Sequence, residues 1–102
     1  MVFRRKNRQN EIQIQLEDVE LIMGKNYPSL RSILTSVFCA RCSDQTSIEN
    51  YKIYLDDTND IIFDGHCSRC KCQVSRYVET GESTLSSEVA MHIRSIKRMN
   101  FK

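Results

Sequence analysis

The chain has 102 residues, 40% of them apolar, no Trp and a formal net charge of only +2, which suits one domain with a modest core. No apolar run is long enough to span a bilayer, and the basic start Met1-Val-Phe-Arg-Arg-Lys-Asn-Arg leads into Gln9-Asn10-Glu11-Ile12-Gln13-Ile14-Gln15 rather than into the apolar core of a secretory signal. These features predict a soluble, cytoplasmic protein with no membrane partner, in a compartment where thiols stay reduced.

Charge is unevenly distributed along the chain. Residues 1–10 form a basic arm carrying Arg4, Arg5, Lys6 and Arg8 and no acid, whereas residues 11–20 carry Glu11, Glu17, Asp18 and Glu20 and no base. The arm is a candidate for phosphate contact with DNA or RNA, and equally a solvated, fraying end. Residues 11–38 read as an N-terminal helical region with an ambiguous start. Ile12, Ile14 and Leu16 alternate like a short strand, while Val19, Ile22 and Met23 suit a helical turn stopped by Gly24. From Pro28, apolar residues at Leu30, Ile33, Leu34, Val37 and Phe38 predict an amphipathic helix running straight into Cys39. Its Leu30, Ile33 and Val37 face is a candidate surface for a protein partner or a homodimer. A helix-turn-helix can also be drawn through residues 16–35, although Lys25-Asn26-Tyr27-Pro28 makes a loose turn for it.

Four of the five cysteines form two Cys-x-x-Cys pairs, Cys39-Ala-Arg-Cys42 and Cys67-Ser-Arg-Cys70, with 24 residues between them. Each pair places two thiolates close enough to share one ion, and together they supply the four sulfurs of a tetrahedral structural Zn²⁺ site. Disulfides would need an oxidising compartment, and a thioredoxin-like redox motif would leave the second pair unexplained. The predicted ligands of one structural zinc are therefore Cys39, Cys42, Cys67 and Cys70, with Cys72 and His66 as the groups able to replace a thiolate. Arg41, Arg69 and Lys71 stand beside the thiolates and offset their charge, a role that competes with phosphate binding for the same side chains.

Between the pairs, Ile48–Leu55 is rich in aromatic and β-branched residues, and Ile61-Ile62-Phe63 is a second short apolar run. Asp56-Asp57-Thr58-Asn59-Asp60 separates them as a turn, so the two runs predict a β-hairpin. Gln73–Glu79 reads as a third strand. Over residues 39 to about 79 the chain resembles the zinc-ribbon family, whose two Cys-x-x-Cys knuckles clamp one zinc beneath a small three-stranded antiparallel sheet. The spacing is similar to the ribbons of transcription elongation factor S and RNA polymerase subunits. In the elongation factor an adjacent Asp-Glu pair at the hairpin tip reaches the polymerase active site; here the tip has Asp56, Asp57 and Asp60 but no Asp-Glu pair, so that activity does not carry over.

After the ribbon, taken as residues 39–80, Ser83 or Thr84 caps a helix over residues 83–100 whose Leu85, Val89, Ile93 and Ile96 form an apolar stripe. Arg94, Lys97 and Arg98 then gather opposite the stripe, as a candidate phosphate-binding face or a complement to the helix dipole. The expected class is α+β, a zinc ribbon flanked by N-terminal helical segments and a C-terminal amphipathic helix, all packed as one domain. No enzyme is expected and no small-molecule substrate. Gly24, Gly65 and Gly81 form no phosphate loop, His66 and His92 have no nucleophile partner at any telling spacing, and four thiolates leave zinc no open position for water. The pattern points to an accessory or regulatory protein in nucleic-acid transactions such as transcription, acting through Arg4, Arg5, Lys6, Arg8, Arg94, Lys97 and Arg98. The alternative is a protein-interaction adaptor with a purely structural zinc.

Overall fold

The computed structural model describes residues 11–100, with side chains as far as Lys97. The expectations for Arg4, Arg5, Lys6, Arg8 and the side chain of Arg98 lie outside the described residues. The ambiguous start resolves into strand β1 (Ile12–Ile14) followed at once by helix α1 (Leu16–Met23). The Asp18 carboxylate accepts the Gln15 amide at 2.8 Å, satisfying a donor at the helix start. Val19, Ile22 and Met23 form the buried side of α1, and Gly24 ends it at φ 56°, a left-handed conformation that a Cβ makes costly.

The helix expected from Pro28 to Phe38 is much shorter. A 3₁₀ turn (Gly24–Ser29) carries Pro28, α2 covers only Leu30–Leu34, and Val37–Cys39 is strand β2. Thr35 donates its hydroxyl to the carbonyls of Arg31 at 3.0 Å and Ser32 at 3.2 Å, and the Ser36 hydroxyl also reaches Ser32. Side chains thus take up the acceptors of the last turn. Val37, Phe38 and Cys39 pair instead with Thr46, Gln45 and Asp44 of β3 (Asp44–Thr46). The five residues of α2 are too few for the recognition helix of a helix-turn-helix. Nor is the Leu30, Ile33 and Val37 face a free docking surface, because Leu30 and Val37 are buried and Ile33 packs against the core.

Strands β4 (Ile48–Leu55), β5 (Ile61–Cys67) and β6 (Gln73–Val78) form the expected antiparallel ribbon, and β1 adds a fourth strand to give the order β1-β4-β5-β6. Between Glu49 and Lys52 the register slips, so that Asn50 and Tyr51 together oppose Gly65, with Asn50 at φ 51°. A residue inserted in this way bends the strand and strengthens its twist. Within the bulge Tyr51 meets Phe63 edge-on, ring centroids 5.3 Å apart.

One core cluster joins Ile14, Ile53, Leu55, Ile61 and Phe63 of the sheet to Val19, Ile22 and Met23 of α1 and to Ala90 and Ile93 of the C-terminal helix α3 (Thr84–Asn100). Ser83 caps α3, its hydroxyl accepting the Ser86 amide at 3.3 Å and its carbonyl the Ser87 amide at 2.8 Å. Half of the expected stripe is inside, Ile93 buried and Val89 packed against the core, but the inner face is turned toward Ala90, so that Leu85 is 77% exposed and Ile96 45%. Polar anchors set this rotation. The Ser86 hydroxyl donates to the Ile22 carbonyl at 2.6 Å, and the Asn59 amide to the Ser87 hydroxyl at 3.1 Å. Among the described residues no helix is long and apolar enough to cross a membrane.

Candidate metal centre

Two hairpins meet at the cysteines. The first knuckle is the turn between β2 and β3, and the second follows β5; Ser43 at φ 55° and Lys71 at φ 65° close them, one position after the second cysteine of each. The Ser68 amide donates to the Ser47 carbonyl at 2.9 Å, tying the two knuckles together.

The sulfur atoms of Cys39, Cys42, Cys67 and Cys70 all lie within 4.8 Å of one another. Cys39 and Cys70 approach to 3.5 Å, and Cys42 and Cys67 to 3.9 Å. Four thiolates at a zinc–sulfur distance of 2.3 Å would stand about 3.8 Å apart at the corners of a tetrahedron. The four side chains are therefore positioned to hold one metal ion. Backbone amides complete the sulfur environment, with Cys42 donating to Cys39 Sγ at 3.5 Å and Arg69 and Cys70 each donating to Cys67 Sγ at 3.4 Å. Such donors neutralise part of the charge on a thiolate.

These contacts move two of the thiols in opposite directions. The Cys70 amide, the Thr46 hydroxyl and the Arg69 amide bring the Cys67 thiol down to about 5 against the opposing effect of burial. The Cys70 thiol, then burial and the other two sulfurs, push Cys42 up to about 12. Thiolate ligation releases the thiol protons, so metal binding strengthens as pH rises.

The alternative ligands stand apart. Cys72 is half-buried against the core, its carbonyl accepting the Cys67 amide at 2.8 Å. His66 is exposed, in register with Glu49 and Gln73. Of the cations beside the knuckles, Arg69 donates to the Gln45 carbonyl at 2.6 Å and lies 3.6 Å from Asp44. Lys71 pairs with Glu49 at 2.6 Å and donates to the Ser68 carbonyl at 3.0 Å. Both strap the second knuckle to β3 and β4.

Sequence reasoning missed Thr46, which is buried with its hydroxyl 3.3 Å from Cys67 Sγ and 3.3 Å from the Ser68 hydroxyl. No local pattern marks it, because its polar strand Asp44–Thr46 exists only through pairing with β2.

Of the basic face expected on α3, Arg94 and Lys97 have partners within the fold. Arg94 donates to the Asp56 carbonyl and, at 3.2 Å, to Asn59 Oδ1. Lys97 lies 3.1 Å from Asp18 of α1. The acidic tip is held by the same contacts: the buried Asp56 carboxylate accepts the Thr58 and Asp60 amides at 3.0 and 2.9 Å. Thr80 then donates to the Asn59 carbonyl at 2.8 Å and the Gly81 amide to Asp60 at 2.8 Å. Comparisons with known protein families, with curated proteins and with solved structures find no match.

Proposed function

We propose that this is a small zinc protein in which Cys39, Cys42, Cys67 and Cys70 hold one structural Zn²⁺, and whose surface acts as a binding module rather than an enzyme. The four-sulfur cluster carries this reading. An all-thiolate tetrahedral set suits zinc and not the hard cations, and four protein ligands leave no coordination position for a reacting water. The metal then fastens the first knuckle to the β4–β5 ribbon, adding to the contacts that Ser47, Thr46 and Gln45 make with the second knuckle.

The partner we favour is another protein. Leu21, Phe38, Leu85, Met91 and Ile96 are large apolar side chains at the surface, between 45% and 77% exposed, and exposed apolar area of that kind marks interaction surfaces when it is contiguous. A nucleic-acid partner is the second reading, favoured by the acid-free run Arg4, Arg5, Lys6 and Arg8 together with Arg98. Arg94 and Lys97 contribute less to it than their sequence positions imply, since each already has a partner within the fold.

Metal analysis of the purified protein tests the first part. One zinc per chain is expected, retained in Cys72→Ser and lost in Cys42→Ser; retention that depends on Cys72 or His66 would refute the ligand set. For the partner, affinity for oligonucleotides that is measurable at low salt and falls steeply as salt rises would move the function to nucleic acid.

A further inference from the structure

We infer that the thiolate cluster is an oxidation-responsive site, which hydrogen peroxide converts into two disulfides running across the knuckles, Cys39–Cys70 and Cys42–Cys67, with release of the metal. This rests on the zinc reading above.

The geometry pairs unlike sulfurs. Cys39 and Cys67 are fully buried, while Cys42 and Cys70 are half-buried and reach toward solvent. Two close contacts across the knuckles join one of each kind: Cys39 to Cys70 at 3.5 Å, and Cys67 to Cys42 at 3.9 Å. Each buried sulfur is also held by the amides of its own knuckle, which leaves its open side toward the opposite one. Moreover, Arg69 and Lys71, which would blunt the nucleophilicity of the cluster, are directed to Asp44 and Glu49.

The chemistry follows the ordinary thiolate ladder. A half-buried thiolate, Cys42 or Cys70, attacks one peroxide oxygen; the S–O bond forms, the O–O bond breaks and hydroxide leaves, giving a sulfenic acid. The buried thiolate opposite attacks that sulfur, forming the S–S bond and expelling a second hydroxide. Two rounds reduce two peroxides, oxidise four thiolates and liberate Zn²⁺ with four hydroxides. The disulfides then span 31 and 25 positions of chain, so the knuckles stay fastened after the metal has gone.

Peptide mapping decides the pairing. Trypsin cleaves after Arg31, Arg41, Lys52, Arg69, Lys71 and Arg76, which places the five cysteines on five different peptides. Protein first shown to carry one zinc is titrated with peroxide while zinc release and free thiols are followed. The expected result is complete zinc loss and loss of four thiols at about two equivalents, with the Cys39 peptide joined to Cys70 and the Cys42 peptide to Cys67. Cys72→Ser should behave identically, and a thiol reductant with added zinc should restore both thiols and metal. Links within a knuckle, a link to Cys72, over-oxidation without disulfides, or zinc retained in excess peroxide would each overturn the inference while leaving the zinc reading intact. Protein that never binds zinc would overturn both.

Discussion

A Cβ at position 65 would meet the Glu49 carbonyl oxygen at 2.6 Å and the Tyr51 Cα at 2.9 Å, and neither belongs to a flexible side chain that can swing aside. Gly65→Ala should therefore destabilise the protein by about 2 kcal/mol through forced backbone movement, read as a lower urea midpoint. Gly24 supplies the contrast. Its backbone, at φ 56° and ψ −125°, is strained for any side chain, but nothing lies within 4 Å of the added carbon, so Gly24→Ala should cost about 1–3 kcal/mol from conformation alone. A Gly65→Ala protein as stable as the parent would show that the bulge yields and that the close approach at Gly65 is not restrictive. Sequence marked both glycines as isolated, and only for Gly24 did the neighbouring helical pattern suggest a role.

At the scale of elements, the hairpin tip and α3 hold each other. The Asp56–Asp60 turn is made internally by the Asp56 carboxylate, and Arg94, Ser87, Thr80 and Gly81 then close on it from the C-terminal side. Arg94→Gln removes a charged donor from a partly buried carbonyl and should lower stability by about 1.5–3 kcal/mol. Lys97→Gln breaks only a partly exposed ion pair with Asp18, whose side chains are 31% and 16% exposed, and should cost about 1 kcal/mol or less. Chemical denaturation of both variants checks the order; a neutral Arg94→Gln would return that side chain to the free basic face expected from the sequence. The 3.6-residue period over Leu85, Val89, Ile93 and Ile96 correctly marked a helix and the inward Val89 and Ile93, but not the exposure of Leu85 and Ile96, because the anchors at Ile22 and Asn59 lie 64 and 28 positions away in the chain.

For the whole molecule, the metal site and the helices share one core. Cys39 and Cys67 belong to the same buried cluster as Val19, Ile22, Ala90 and Ile93. Loss of the metal should therefore be felt beyond the knuckles. At free zinc a thousandfold above its dissociation constant the metal contributes about 4 kcal/mol of stability, and exhaustive chelation should remove it, lowering the thermal midpoint in both far-UV and near-UV signals. The helices and the ribbon should respond together rather than the hairpin alone. An unchanged unfolding curve after complete metal removal would deny the ion a structural part.

Sequence alone determined the four cysteines, the ribbon strands β4, β5 and β6, the stop at Gly24 and the existence of the C-terminal helix. Each is a local signal: a ligand spacing, a run of β-branched residues, a left-handed glycine or an apolar period read within a dozen positions. Tertiary structure decided the rest. It made Val37–Cys39 a strand because Asp44–Thr46 was there to pair with it, and set Thr46 beside Cys67. It also turned Arg94 and Lys97 inward because Asp56, Asn59 and Asp18 offered them partners. Side chains of the same type are exposed or committed according to what a distant segment brings opposite them, and that is a property of packing that no local pattern contains.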